Sequence, residues 1–192
     1  FRALPAKSPG KIMTTLCLIL GDQLNPQHSW FADPDENVVH VLMEVRQETD
    51  YVLHHAQKII AIFAGMRDFA RLLRSAGHRV HYLAIDDPAN CQSLPANLDA
   101  LIAHYSASAF EYQAPDEWRL DRQLADYANQ LSIPGQMVDS EHFYSHRDEA
   151  AQLFAERKQW LMEHFYRQMR IRHGVLMSAN GKPQGGQWNF DH

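Results

Sequence analysis

The 192-residue chain is poor in cysteine: only Cys17 and Cys91 are present, in unrelated contexts. A disulfide framework, a four-cysteine zinc site and a four-cysteine iron–sulfur cluster are therefore excluded within this chain. Such low cysteine use fits a reducing compartment, and we expect a cytoplasmic protein. The longest apolar run, residues 13–20, includes two threonines and is far shorter than the roughly 18 residues of a membrane span. No membrane partner is expected.

Positive charge is also in short supply, since 18 lysines and arginines face 23 aspartates and glutamates for a formal net charge of −5. This balance gives no support to nucleic-acid binding by the chain as a whole, because such binding needs clustered cations. The charge is unevenly distributed, however. Residues 1–140 carry 11 basic and 17 acidic side chains, whereas residues 156–182 carry six basic and two acidic ones.

The signatures of several common sites are missing. The chain has no GxGxxG after its first predicted strand, no GxxxxGK[ST] phosphate loop and no GxSxG nucleophile turn. Histidine is abundant, but the paired histidines lack a third ligand nearby or have unsuitable spacing for a metal. These pairs are His54 with His55, His142 with His146, and His164 with His173. We therefore assign no catalytic residue and no metal ligand.

Apolar periodicity in the first three quarters of the chain predicts alternating strands and helices. Strands are expected at residues 14–20, 37–45, 79–85, 109–113 and 136–139, and helices at residues 51–76, 94–105 and 116–131. The first two strands read as continuous apolar runs, which is typical of strands buried on both faces. The pattern predicts an α/β protein with a Rossmann-like open parallel sheet of about five strands and helices on both faces.

The two ends of the chain differ from this central part. Residues 1–12 lack the apolar run of a signal peptide and are interpreted as a leader or tag. Apolar residues spaced by three and four between Ala151 and Met169 predict a connector helix of about twenty residues. The Gly-rich sequence GKPQGGQWNFDH follows without a core-forming period. We expect an α/β domain at 13–145, and at 146–192 a connector leading into a further domain.

Polar residues follow three of the predicted strands. Gly21, Asp22 and Gln23 end the first strand, Glu44 ends the second, and an Asp-Asp pair at 86–87 ends the third. Ligands of open parallel sheets bind outside the carboxyl ends of the strands, so these groups predict a pocket. Carboxylates and an amide would accept hydrogen bonds from a heterocycle or a ribityl chain, and they would repel phosphate. The alternative is that these residues only form turns and cap helices.

The late basic segment RKQWLMEHFYRQMRIRHG interleaves arginines with aromatic residues. This pattern occurs in nucleic-acid-binding segments. It is also typical of an amphipathic helix with an apolar face packed on a neighbour and solvated charges, which is the interpretation that we favour.

Several sequence blocks, taken in order, resemble one known family. They are LILGDQLN, MEVRQETDYVLHHAQKI, GMRDFARLLRSAGHRVHYL, DDPAN, ERKQWLMEHFYRQMR, HGVLM and GKPQGGQWNFD. Together they resemble the photolyase-related branch of the cryptochrome/photolyase family, the prokaryotic (6-4) photolyases with an iron–sulfur cluster. The resemblance runs from Thr15 to the end of the chain.

The resemblance implies an N-terminal Rossmann-like antenna domain joined by a connector to a helical catalytic domain. In that family the second domain binds FAD, a 4Fe-4S cluster and UV-damaged DNA, and light-driven electron transfer from the flavin repairs the lesion. Those groups are expected only in a C-terminal domain outside this chain. The chain itself is then a light-harvesting part of a flavoprotein lyase, without chemistry of its own.

The resemblance also implies an antenna chromophore, 6,7-dimethyl-8-ribityllumazine, in the α/β domain. The residues carried over for its site are Gly21, Asp22, Gln23, Glu44, Tyr51 and Ile59. Asp22 and Glu44 are expected to accept hydrogen bonds from the ring or the ribityl chain, and Ile59 to form an apolar wall.

Two other functions remain open from the residues alone: an independent nucleotide or small-molecule module of the same fold, and a DNA-contact fragment acting through the basic helix. We also expect an exposed apolar face at Phe154, Leu161 and Phe165, and self-association of the chain through it.

Overall fold

A computed structural model describes residues 13–156 and 158–190, and the predicted leader at residues 1–12 lies outside the described part. The chain divides into two compact units, with the boundary between Ser140 and Glu141.

The first unit is built on a five-stranded, all-parallel sheet in the order β3-β2-β1-β4-β5. Its strands are β1 (Thr15–Leu18), β2 (Val38–Met43), β3 (Val80–Leu83), β4 (Ala109–Gln113) and β5 (Gly135–Val138). The predicted α/β, Rossmann-like parallel sheet is confirmed. The strand order reverses at β1, because β2 and β4 pair with its two opposite edges.

The apolar runs of β1 and β2 serve two cores, one on each face of the sheet. Leu16, Leu18, Val39 and Val41 face the larger core, whose helical side comes from α3 (Leu94–Tyr105) and α4 (Trp118–Gln130). Residues of opposite parity face the second core, where Ile19 and Leu42 meet residues 66–73 of α2 (Ala56–Ser75). Burial on both faces explains why these strands do not alternate with polar residues.

The long helix α2 begins later than its apolar period predicted, at Ala56 and not at Tyr51. His55 takes the N-cap position, and its Nδ1 accepts a hydrogen bond from the Gln57 amide at 3.2 Å. Residues 46–49 form a separate short helix, α1 (Arg46–Thr49). The segment between α1 and α2 is consequently a turn, which carries Tyr51 and His54 near the carboxyl end of β2.

In the second unit the structure corrects the expectation of one long connector helix. Two helices replace it, α5 (Glu149–Leu153) and α6 (Met162–His173). Phe154 stacks on Trp160 with ring centroids 5.6 Å apart and an interplanar angle of 24°. Residues six apart point to different sides of a helix, so this stack requires a break between them. Phe154 is buried, contrary to the predicted exposed face, whereas Leu161 is half-exposed.

The basic residues of α6 are largely engaged within the second unit. Arg170 is buried and donates hydrogen bonds to the backbone oxygens of Val175, Leu176 and Trp188. Its guanidinium also lies 5.3 Å from the centre of the Trp188 ring. Arg167 pairs with Glu163 at 2.8 Å. These contacts hold the segment after α6 against the helix and favour the structural interpretation of the aromatic and basic residues.

Within the described residues, no helix combines the length and apolarity needed to cross a bilayer.

Candidate functional site

A cavity of about 270 Å³ lies at the carboxyl ends of β1 and β2, within the first unit. It is close to the lower end of the usual size of small-molecule sites, about 300–1,000 Å³. Its position is the point where the strand order reverses, and the loops that leave β1 and β4 there turn toward opposite edges of the sheet. Such a point is the usual ligand site of an open parallel sheet.

The floor and walls of the cavity are apolar and come from both sheet and helices. They are formed by Ile19, Leu20, Met43, Val45, Ile59, Ile62, Phe63, Met66, Leu94 and Leu120. The helix α2 supplies four of these residues, between Ile59 and Met66, so its side chains form one wall. An apolar wall of this kind suits the face of a flat ring system.

Gly21 allows α2 to approach the end of β1 closely. A Cβ at position 21 would lie 2.8 Å from Ile62 Cγ2 and 3.2 Å from Met66 Sδ. A larger residue would therefore displace the wall of the cavity or enter it.

The polar rim is organised around Arg119, near the start of α4. Its guanidinium forms two hydrogen bonds with the Glu48 carboxylate, at 3.1 and 2.8 Å, and lies 4.3 Å from the centre of the Tyr51 ring. The hydrogen bond with Glu48 is the main cause that raises the pKa of Arg119 above its usual value. Arg119 thus joins α4 to the segment after β2 across the mouth of the cavity.

Glu117 is the N-cap of α4, and its carboxylate accepts hydrogen bonds from the Arg119 and Leu120 amides at 2.8 and 3.1 Å. Each carboxylate oxygen of Glu48 and of Glu117 therefore already accepts a hydrogen bond from the protein. The negative charge of this rim is used to hold α4 and Arg119 in place.

Two buried nitrogens of the rim differ from these carboxylate oxygens in their hydrogen bonding. Among the described residues, the buried side-chain atoms without a hydrogen-bond partner include His54 Nε2 and Arg119 Nε. Both residues line the cavity. Buried polar groups in proteins normally have partners, so these atoms indicate where a bound molecule can form hydrogen bonds.

No group of three or more metal-ligating side chains with suitable geometry occurs in the described part of the chain.

Comparison with known proteins gives the family. A family model described as deoxyribodipyrimidine photo-lyase-related protein matches residues 17–192. The chain belongs to this family. The membership expected from the sequence blocks is confirmed.

A curated relative of this photolyase-related chain is a (6-4) photolyase of Agrobacterium fabrum (strain C58 / ATCC 33970), 39% identical over 181 residues. The alignment covers 93% of the chain and 35% of the relative, so the chain spans about a third of the relative's length.

The structure places four of the six predicted site residues in the wall of the cavity: Gly21, Asp22, Tyr51 and Ile59. Asp22 and Tyr51 are exposed at its edge, whereas Ile59 is half-buried in the apolar wall. Their assignment to a chromophore stays a prediction.

Gln23 is buried beside the cavity but bonds within the fold. Its Oε1 accepts from the Leu20 amide at 3.0 Å, and its Nε2 donates to the carbonyl oxygens of Gln113 and Ala114. Gln23 thereby ties the turn after β1 to the end of β4, and it supports the site without lining it.

Glu44 is fully buried and its carboxylate also bonds within the protein. Arg67 Nε and Nη2 donate to it at 2.6 and 2.8 Å, the Tyr82 hydroxyl at 2.5 Å and the Ile85 amide at 2.9 Å. The partners that the structure gives to Glu44 are thus different from the ring or ribityl donors that were expected.

The Asp-Asp pair at 86–87 does not line the cavity, and Asp87 Oδ1 accepts from the Ala89 amide at 2.8 Å in a turn. For this pair, the alternative that polar residues after a strand only form a turn is the one that the structure supports.

Sequence reasoning missed His54, Glu48, Lys58 and Arg119. The first three lie in the sequence block after β2 that resembles the family, so their proximity to Tyr51 was a usable signal. Arg119 is about 70 positions away from Glu48, and the start of α4 gave no comparable indication.

Proposed function

We propose that the first unit of this photolyase-related chain binds 6,7-dimethyl-8-ribityllumazine in the cavity and acts as the light-harvesting part of a longer DNA-repair flavoprotein. The observation that carries the proposal is the cavity itself, with an apolar wall from α2 and unpartnered polar nitrogens at its rim. In this proposal FAD, the 4Fe-4S cluster and UV-damaged DNA are bound outside this chain, by a C-terminal helical domain of the longer protein.

The residues present suit such a ligand. Ile59, Ile62 and Phe63 offer a flat apolar surface to the ring, and Thr49, Lys58 and Asp22 place polar groups around the opening for ribityl hydroxyls. When bound, the chromophore would absorb light and transfer the excitation energy through space to a flavin.

The chain itself would bind the chromophore, fix its orientation and exclude water from the cavity. An antenna needs no general acid or base. It needs a rigid wall, which the packing of α2 over Gly21 supplies, and a fixed rim, which the bonds between Arg119 and Glu48 supply.

Titration of the chain with the lumazine, followed by lumazine fluorescence, tests the proposal. We expect Ile59→Trp to abolish binding, because an indole at this position fills the cavity. Ile60→Trp is the matched control, since Ile60 is the next residue of α2, is 66% exposed and does not line the cavity. Equal affinity of the two variants, or tighter binding of FMN or ATP than of the lumazine, would contradict the proposal.

A further inference from the structure

At the rim of the cavity, the carboxylate oxygens and the buried nitrogens differ in whether the protein already supplies their hydrogen-bond partners. Each carboxylate oxygen of Glu48 and Glu117 already accepts from the protein. The buried rim atoms without a partner in the described residues are nitrogens, His54 Nε2 and Arg119 Nε. Arg119 Nε always carries a hydrogen, so this atom is a donor. Whether His54 Nε2 donates or accepts depends on the tautomer of its ring.

Lys58 decides this tautomer. The Lys58 ammonium lies 3.4 Å from His54 Nδ1, a long hydrogen-bond distance. An ammonium has hydrogens and no lone pair, so it requires the lone pair of the imidazole on Nδ1. In a neutral ring the hydrogen is then on Nε2, because the hydrogen bond at one ring nitrogen determines the state of the other. Lys58 and His54 are four residues apart, and the start of α2 at Ala56 brings them together.

Tyr51 connects the two donors. Its ring makes an edge contact with the His54 ring at a centroid distance of 5.0 Å, and the Arg119 guanidinium lies 4.3 Å from its centre. His54, Tyr51 and Arg119 therefore form one continuous group on the rim. Both His54 and Arg119 offer buried N–H groups that have no acceptor among the residues that the structure describes.

We propose that His54 is the specificity-determining residue of this cavity: its Nε2–H recognises a hydrogen-bond acceptor on the ligand's ring, with Arg119 Nε–H as a second donor. The inference rests on the proposed function, which supplies the ligand. In this proposal His54 and Arg119 donate hydrogen bonds to the ligand's ring, whereas the sequence led us to expect carboxylates that accept them. The ligand class selected is a heterocycle with a carbonyl oxygen or an unprotonated ring nitrogen at the edge facing His54.

The test compares lumazine affinity among variants of the 192-residue chain by fluorescence titration. His54→Phe keeps a ring against Tyr51 but removes the donor, and we expect about tenfold weaker binding. His54→Gln restores an N–H donor and is expected to recover most of the affinity. His104→Phe is the matched control, because His104 is an exposed histidine outside the cavity, and it is expected to bind as the wild type does.

A second measurement does not depend on the ligand. Nitrogen-15 NMR of the imidazole rings in the free chain is expected to show the Nε2–H tautomer for His54, and a loss of this preference in Lys58→Met. The Nδ1–H tautomer in the wild type would overturn the inference.

The outcomes separate the inference from the proposed function. If the wild type binds the lumazine and His54→Phe binds equally well, the inference is wrong and the proposed function stands. If the wild type binds no lumazine, the proposed function is wrong, and the tautomer of His54 alone decides whether the rim presents a donor.

Discussion

At the scale of single residues, Glu44 shows how a buried carboxylate at a strand end can act within the fold. Burial raises the pKa of Glu44, but the hydrogen bonds from Arg67, Tyr82 and the Ile85 amide, together with the charge of Arg67, more than offset this and lower it below its usual range. The carboxylate thereby ties β2 to α2 and to the end of β3.

We expect Glu44→Gln to reduce the free energy of unfolding by about 1–3 kcal/mol near neutral pH, because charged hydrogen bonds to a buried group are lost. A lowered folded-state pKa contributes stability above the unfolded value of about 4.3 and loses it as the pH falls through the folded value. The difference between wild type and variant should therefore shrink below about pH 4. Urea unfolding across this range measures it.

The control for this variant is Glu36→Gln, which removes an exposed carboxylate. It is expected to change stability by less than about 0.5 kcal/mol at any of these pH values. A pH-independent effect of Glu44→Gln would contradict the role given to the charge of Glu44.

His40 is the second residue for which we expect a marked effect on stability. It is buried in β2, 5.3 Å from the His78 ring and 5.0 Å from the Phe31 ring, measured between centroids. Burial, followed by repulsion from His78 and His28, lowers the pKa of His40 to about 4. The folded protein thus keeps this imidazole neutral, whereas the unfolded chain protonates it near pH 6.5.

We expect this difference to destabilise the wild type progressively as the pH falls from about 6.5 to about 4, by up to about 3 kcal/mol. His40→Leu removes the titrating group and should flatten this part of the profile. Urea unfolding at about pH 7 and about pH 5 provides the measurement, and His104→Leu, at an exposed histidine, provides the comparison. Parallel profiles for wild type and His40→Leu would show that His40 is not the cause.

At the scale of elements, the position of α2 determines the cavity. The helix begins at Ala56, where His55 caps it, and its first turns pass over Gly21. The apolar period alone extended the helix back to residue 51. The period could not reveal that an N-cap hydrogen bond makes the helix begin later, at Ala56. The residues before the cap are therefore free of the helix and form part of the rim.

We expect Gly21→Ala to destabilise the fold by about 1–3 kcal/mol, because the added methyl group overlaps Ile62 and Met66. Lumazine binding should weaken with it, since the wall shifts. Gly65→Ala in the same helix is the control. Its methyl group would meet only the end of the Leu24 side chain at 3.3 Å, and alanine favours the helix, so no loss of stability is expected.

Thermal unfolding and lumazine titration of both glycine variants provide the readouts. A Gly21→Ala variant as stable as Gly65→Ala would disprove the close approach of α2 to β1.

In the predicted connector, the apolar period fails in a different way: it predicts one helix where the structure has two. Apolar residues from Ala151 to Met169 match one helix, yet the Phe154 and Trp160 rings stack and the helix is interrupted. A contact between two large aromatic rings is a tertiary effect, and a period of three and four residues does not encode it.

At the scale of the whole molecule, the residues that line the cavity all belong to the first unit and run from Ile19 to Leu120. All five strands of the sheet also end before the boundary at Ser140. None of the described residues of the second unit is among those that line the cavity. Its buried arginine, Arg170, donates hydrogen bonds to backbone oxygens of the same unit.

We therefore expect a chain ending at Ser140 to bind the lumazine with an affinity within about twofold of the 192-residue chain. Fluorescence titration of the two chains, with circular dichroism to verify folding, makes the comparison. Lost binding by a folded shorter chain would mean that the second unit takes part in the site.

Part of the site was predictable from the sequence because it lies on contiguous residues. Gly21 and Asp22 follow an obvious buried strand, and Tyr51 and Ile59 belong to a block that resembles the family. The role of Glu44 was not predictable in the same way, since its partner Arg67 lies more than two turns of helix beyond Ile59 and reaches it only in the folded state.

The sequence by itself determined the class of fold, the positions of the strands to within about two residues and the family, because apolar period and motif blocks are local properties of the chain. Tertiary structure alone decided which polar groups remain available to a ligand. Glu44, Glu48 and Gln23 become engaged only when distant elements pack beside them. Among the buried side-chain atoms of the described rim residues, His54 Nε2 and Arg119 Nε are left without a hydrogen-bond partner, because hydrogen bonding of buried groups depends on neighbours that folding brings together.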